Sequence, residues 1–213
     1  MASSVHPYCT AVAKTCTNPA PKHEKREKSE QIQPAMECSL DMNRLTVAMR
    51  RLHASGFYYE GLALVDAAQL LQSKPVGTFL IRDSTDPRYL FSLSVQTERG
   101  PTNVRIHYLH GNFRLDAEAN LFETMPVFEC VLSLVDYYVH LSATDKARNH
   151  VWLDQSGRRD LHIRLCRPLY RHVASLQHLC RTTLAKCVSQ QQFGQLPVPQ
   201  SLTSFLRDYP YSQ

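Results

Sequence analysis

Hydrophobic positions in this chain change period several times, and the changes mark its elements. Up to about residue 41 large apolar side chains are sparse, and Pro19, Pro21, Pro34 and a mixed charge run at 22–30 interrupt them. Such a stretch buries too little apolar surface to offset its ordering entropy, so residues 1–41 read as a flexible arm. From Asp41 the spacing turns helical. Leu45, Met49 and Leu52 fall at i, i+4 and i+7, Arg44, Arg50 and Arg51 lie off that stripe, and Gly56 supplies a stop. An isolated helix of this length is marginal in water, so residues 42–56 are expected to pack on the domain that follows.

A second helix is predicted over 62–72, with Leu64, Ala67, Ala68 and Leu71 on one side and Asp66 near its positive end. Pro75 and Gly77 end it. Residues 78–83 then begin with a continuous apolar run, Phe79-Leu80-Ile81. Over 89–97, Tyr89, Phe91, Leu93 and Val95 alternate with Ser92, Ser94 and Gln96. A turn at 98–101 leads to 103–109, where Val104, Ile106 and Tyr108 alternate with Arg105 and His107; Gly111-Asn112 turns the chain into a short strand at 113–115. Val127, Val131, Leu134, Val135 and Tyr138 predict a helix over 127–140, followed by a polar loop at 142–160 and a last short strand at 161–165. Helix, antiparallel meander, helix is the order of an α+β domain, a small antiparallel sheet with a helix on each side.

The final segment changes character. Ser175 can cap a helix carrying Leu176, Leu179, Cys180, Leu184, Cys187 and Val188. After Gly194 come Leu196-Pro197-Val198-Pro199 and a last helix with Leu202, Phe205, Leu206 and Tyr209. So short a segment cannot enclose all these stripes within itself, so a partner is expected to cover some of them.

Composition narrows the function. At 213 residues and 43% hydrophobic, the chain suits one medium domain plus an appendage. No apolar run approaches the roughly 18 residues of a membrane span. The start lacks a secretory pattern, residue 2 is Ala2 and not the glycine of myristoylation, and no glycosylation sequon occurs. A cytoplasmic protein without membrane insertion is the expectation. Its net charge of +5 falls short of a dedicated nucleic-acid domain but favours anionic partners such as phosphorylated peptides. The 7 cysteines form no Cys-x-x-Cys pair, and His107 and His110 lack a second ligand pair, so neither metal nor cofactor is expected. No glycine-rich phosphate loop or Gly-x-Ser-x-Gly elbow occurs, so no catalytic residue is assigned; Cys130 and Cys166 are expected to be buried in helix or strand.

One local oddity is Arg82, which closes an apolar strand although arginine is rarely buried unless paired. Strand alternation turns Asp83 to the opposite face. Ser84 and Thr85 follow at once, and Arg105 lies on the polar side of the third strand just after Thr102 and Asn103. From the pattern alone two readings stand level. Either Arg82 pairs with an internal carboxylate and Arg105 is merely exposed, or two guanidiniums and several hydroxyls converge on a phosphate dianion.

Phe79-Leu-Ile-Arg-Asp-Ser84, preceded by Gly77-Thr78 and Phe57-Tyr-Tyr59, resembles the signature of Src-homology-2 (SH2) domains. The resemblance implies that Arg82 floors a phosphotyrosine pocket, with Ser84, Thr85, Thr102 and Arg105 as further phosphate or ring contacts. Many members add an arginine from the first helix; Leu64 stands at the matching position, which shifts the burden to Arg105. Ser175-Leu-Gln-His-Leu-Cys180 with Leu184, and Leu196-Pro-Val-Pro199, resemble the two halves of the suppressor-of-cytokine-signalling (SOCS) box. That implies elongin binding through Leu176, Leu179, Cys180 and Leu184, and cullin selection through Leu196, Pro197, Val198 and Pro199.

Together these motifs resemble the suppressor of cytokine signalling family, most closely its branch of cytokine-inducible SH2 proteins, through Arg82-Asp-Ser-Thr-Asp-Pro-Arg-Tyr-Leu-Phe, Gly100-Pro-Thr-Asn-Val-Arg105 and Arg207-Asp-Tyr-Pro-Tyr211. The implied plan is an arm (1–41), an extension helix (42–56), an SH2 domain (57–167) and an all-helical SOCS box (168–213). The implied function is that of a non-catalytic receptor subunit. It would bind phosphotyrosines of activated cytokine or growth-hormone receptors, recruit elongin B, elongin C and a cullin–RING scaffold, and restrain Janus kinase signalling. Residues 31–40 hold no aromatic residue and no match to the kinase-inhibitory segment of some relatives, so direct kinase blockade is not expected. An adaptor that only competes for receptor phosphotyrosines is the alternative.

Overall fold

The computed structural model describes residues 10–13, 34–118, 122, 124–144, 150–153, 161–162, 164–209 and 211. In chain order these form β1 (Thr10–Ala13), α1 (Pro34–Ala54), β2 (Tyr58–Tyr59), α2 (Leu64–Gln72), β3 (Thr78–Asp83), β4 (Phe91–Thr97), β5 (Gly100–Leu109) and β6 (Asn112–Leu115). There follow α3 (Val131–Ser142), β7 (His150–Leu153), β8 (Leu161–His162), β9 (Arg167–Pro168), α4 (Leu176–Cys187), a 3-10 helix (Gln190–Gln195) and α5 (Gln200–Asp208).

The period-two segments build the centre of the main sheet, ordered β2-β3-β4-β5-β6, with β3 to β6 antiparallel throughout. At the outer edge of β3 the sheet becomes mixed. The two-residue strands β2 and β9 both run parallel to β3, through Tyr58↔Ile81 and Thr78↔Arg167. Strands so short carry no readable alternation, which is why an all-antiparallel sheet was the expectation. Gly77 makes this junction possible: its φ is +86°, and a Cβ there would sit 2.5 Å from Cys166 Sγ.

Alternation along β3–β5 sorts the sheet into two covered faces. Phe79, Ile81, Phe91, Leu93, Val95, Val104 and Ile106 join Val131, Leu134, Val135 and Tyr138 of α3 and Ala48 and Leu52 of α1 in one core. On the other face Leu80 packs with Ala67 and Leu71 of α2. A helix on each side is the expected α+β plan. Yet β4 is buried along its whole length, Ser92 and Ser94 included. Its alternation therefore separates two interior faces, not core from solvent.

Several boundaries move. The helix α1 begins at Pro34, ahead of the stripe that signalled it, and β1 lies inside the stretch read as an arm, paired with β7. Residues 1–9 and 14–33 of that arm lie outside the described residues. β7 itself occurs where a polar loop was expected; of the strand predicted over 161–165 the first two residues form β8, paired with β7, while β9, paired with β3, lies beyond it. α3 starts at Val131, leaving Val127 half exposed before it, and Tyr89 falls in the loop before β4. Cys130 is buried as expected, but Cys166 is exposed. Among the described residues no helix is long and apolar enough to cross a membrane.

The C-terminal segment is tied to the domain. Tyr209 and Tyr211 belong to the same core as α1 and α3, and Arg51 Nε donates to the Asp208 carbonyl at 2.8 Å. Replacing Leu52, fully buried between these layers, should therefore cost more than a helix-surface change. Leu52→Ala is expected to lower unfolding stability by about 2–5 kcal/mol through lost burial and a cavity, read as a fall in the urea midpoint with an unchanged slope.

Candidate functional site

Register aligns the site before any side chain is considered. Arg82 pairs with Ser92, and Ser92 with Arg105, so these three stand in one line on the α2 side of the sheet. Leu80, Ser94 and Asn103 form the adjacent line. Arg82 is fully buried. Its Nε donates to Ser94 Oγ at 3.1 Å, its Nη2 to Asn103 Oδ1 at 3.2 Å and its Nη1 to the Asp83 carbonyl at 2.8 Å. Ser94 Oγ also donates to Asn103 Oδ1 at 2.6 Å, which fixes that amide.

Each of these acceptors is neutral. The first of the two readings, an internal ion pair, therefore fails. The Asp83 carboxylate turns away to accept from the Tyr58 hydroxyl and from Gly61 N–H, the latter at 2.6 Å. Burial, reinforced by that carboxylate, pushes the Tyr58 phenol well above its usual range. A buried cation with only neutral partners among the described residues has surrendered its hydration without gaining a counter-charge from them. An arriving anion would supply one.

The other predicted contacts divide. Arg105 is partly buried, with Nη2 at 3.6 Å from Asp86 Oδ2 and Nη1 at 3.9 Å from Asp116 Oδ2, and its guanidinium lies 5.1 Å from the Tyr89 ring centroid. Ser84 Oγ accepts from Asp86 N–H at 3.1 Å, and Thr85 beside it is exposed. Thr102 requires a correction. It pairs with Val95 and shares the opposite face with Val104 and Ile106, so it cannot reach the Arg82 side. Its neighbour Asn103 holds that position. Leu64 opens α2 and is half buried.

Sequence reasoning overlooked Ser94, Asp86 and Tyr89. Ser94 was legible only in register, as a hydroxyl on the arginine's own face. Asp86 accepts from Arg88 N–H at 3.1 Å, Nε at 3.0 Å and Nη2 at 2.8 Å. Those Arg88 side-chain bonds, with help from Arg105 and against some desolvation, hold the Asp86 carboxyl down at about 2.

The helix α4 presents a second face. Leu176 is 77% exposed, and Leu179, Cys180 and Leu184 are exposed with it. Ser175 caps the helix as expected, accepting from His178 N–H at 3.2 Å. What faces inward is polar: His178, Arg181 and Thr182. Arg181 lies against the rings of Phe205 and Tyr209, 4.7 and 4.4 Å from their centroids, and donates to His178 Nδ1. Of the proline segment, Leu196 is half buried while Pro197, Val198 and Pro199 are exposed.

Sheet, flanking helices and buried strand arginine define an SH2 domain, and the family model for that domain matches residues 57–138. A SOCS-box model matches residues 172–207. Human suppressor of cytokine signaling 2 is 40% identical over 177 residues, covering 83% of this chain and 86% of that protein. Cytokine-inducible SH2-containing protein of Gallus gallus is 34% identical over 204 residues, covering 91% and 81%; that of Bos taurus is 39% identical over 178 residues, covering 75% and 69%. The chain belongs to the suppressor of cytokine signalling family.

Two outcomes follow from the geometry. Asn103→Ala removes an acceptor from a buried guanidinium and should destabilise the fold by roughly 1–3 kcal/mol in urea titration. His178 is held below its ordinary value of 6.5, first by burial and then by Arg181. Its contribution to stability is thus fully present above 6.5 and is lost as pH falls through the depressed folded value. Between pH 7.5 and 5.5 the wild-type melting temperature should fall more than that of His178→Gln, whose amide oxygen can still accept from Arg181 without titrating.

Proposed function

We propose that this chain is a phosphotyrosine-binding substrate receptor of an elongin–cullin–RING ubiquitin ligase, a non-catalytic subunit that restrains cytokine-receptor and Janus kinase signalling in the cytoplasm. The observation that carries the reading is the Arg82 guanidinium, fully buried yet given only neutral acceptors among the described residues. A phosphate dianion matches it in charge and in fork geometry. Depth selects the carrier: a tyrosine ring is long enough to bring its phosphate to this floor, and a phosphoserine stem is too short. Arg105, Ser84 and Thr85 are the remaining contacts from the sequence reading that stand on the same side or in the adjoining loop.

The exposed leucines support the second half. Leu176, Leu179 and Leu184 form an apolar stripe on a helix whose inner face is already packed by polar groups. Leu176 would insert into elongin C with Cys180 one turn on, the small thiol acting as a hydrophobe. Leu196, Pro197, Val198 and Pro199 would meet the cullin, and elongin B would complete the adaptor. The ligand-bearing proteins would be activated cytokine or growth-hormone receptors.

A phosphotyrosyl peptide array probed with the full chain bound to elongins B and C identifies the preferred sequence, and calorimetry then measures its affinity. Arg82→Ala is expected to weaken binding at least tenfold, about 1.4 kcal/mol. Asn103→Asp, which places an acid beside Arg82, should do the same while the chain stays folded. Undiminished binding by either variant removes the pocket from consideration. Leu176→Ala with Cys180→Ala should abolish elongin capture and receptor ubiquitination without changing peptide affinity. Receptor degradation that persists without elongin binding would leave only the competing adaptor.

A further inference from the structure

A carboxylate of the chain itself, Asp86, stands 3.6 Å from Arg105 in the proposed pocket. Asp86 sits in the loop joining β3 to β4, between the exposed Arg88 and the partly buried Arg105. Its side chain is only 15% exposed, against 74% for Arg88, so the carboxylate lies inside the loop and the cation outside. Arg88 binds it through a backbone N–H and two guanidinium nitrogens, and Arg105 stands 3.6 Å away. Tyr89 completes the arrangement. Its ring lies 5.7 Å from the Arg88 guanidinium, 5.1 Å from that of Arg105 and edge-on to His107 at 4.7 Å.

We infer that Asp86, anchored on Arg88, is an internal counter-anion that occupies Arg105 until a phosphorylated tyrosine displaces it from that guanidinium. The inference rests on the phosphotyrosine reading of Arg82 and adds to it. The loop offers Arg105 the two features such a ligand brings, an anionic oxygen and an aromatic ring. With the loop so placed, Arg82 in the same line of the sheet is fully buried. A phosphate dianion and the Asp86 carboxylate cannot share Arg105, whose side chain is 25% exposed, without like-charge repulsion. Binding is therefore an exchange of anions. The exchange lowers affinity for any ligand, and it excludes those that bring no more charge than the carboxylate they replace. A phosphate carrying about −1.5 to −2 charges gains more from Arg82 and Arg105 together than Asp86 gains from Arg105.

The same arrangement explains the loop's composition. Arg88 gives Asp86 a site that does not compete with phosphate for Arg105, so the displaced carboxylate keeps a partner on the rim. Release then needs a short swing of one side chain, not the unfolding of a strand.

The test compares variants of the full chain, bound to elongins B and C, in calorimetry with the tightest phosphotyrosyl peptide from the array. Asp86→Asn and Asp86→Ser are each expected to tighten binding about three- to tenfold. Asp66→Asn changes the net charge equally from an exposed position on α2 and should alter affinity less than twofold. Melting curves establish that each variant is folded. An unchanged or weaker affinity in both Asp86 variants, or an equal gain in Asp66→Asn, overturns the counter-anion. Arg82→Ala separates this from the reading beneath it. Binding that survives Arg82→Ala sinks the phosphotyrosine pocket and the exchange together. Arg82-dependent binding without a gain from Asp86→Asn sinks the exchange alone.

Discussion

The proposed phosphotyrosine site depends on a guanidinium buried in a sheet and held there by uncharged oxygens. Arginine tolerates such a position because its charge is delocalised and weakly hydrated, and because a rigid fork can be met by acceptors fixed in advance. Ser94 and Asn103 are those acceptors, on neighbouring strands in the line beside Arg82. The acid that could have neutralised the charge, Asp83, is turned to the opposite side by the strand's own alternation and occupied by Tyr58 and Gly61. The sheet thus keeps one positive charge uncompensated at a fixed depth. In the proposed function, that condition would let an outside phosphate contribute its full electrostatic gain.

How much of this could be read beforehand varies with the length of the pattern involved. β3 carries six ordered positions, and its bounds were legible to the residue, with Arg82 marked out by its apolar run. β2 and β9, two residues each, have no periodicity to read, so the parallel edge was invisible. The two faces of β4 differ in polarity but not in burial, since Ser92 and Ser94 lie beneath the arginine and not in solvent. Thr102 illustrates the limit of proximity in sequence. It is one residue from Asn103, and the period of two places it on the wrong face.

The C-terminal segment was legible in its composition but not in its orientation. Leucines at helical spacing signalled a stripe without saying which way it faced. The determining residues are polar. Arg181 lies against two aromatic rings and bonds His178, which commits one side of α4 to the chain's own interior. Cation–π contacts of this kind strengthen as water is excluded. Leu176, Leu179 and Leu184 face outward as a consequence. An amphipathic helix has been packed with its apolar side out, as the proposed covering by another protein would require.

These two sites are mechanically joined. Tyr209 and Tyr211, at the end of the box, enter the core that also holds Leu52 of α1 and Val131 of α3. Arg51 reaches across to the Asp208 carbonyl, and Ser133 donates to the Tyr211 hydroxyl at 3.3 Å. The box is therefore no pendant held by a linker. Its last residues and the first helix complete a single apolar interior with the sheet that carries Arg82. For the proposed receptor role this property matters, because transfer between two bound partners depends on their geometry as well as on their affinities. A flexible tether of the same length would raise local concentration without fixing direction. Shared burial fixes both.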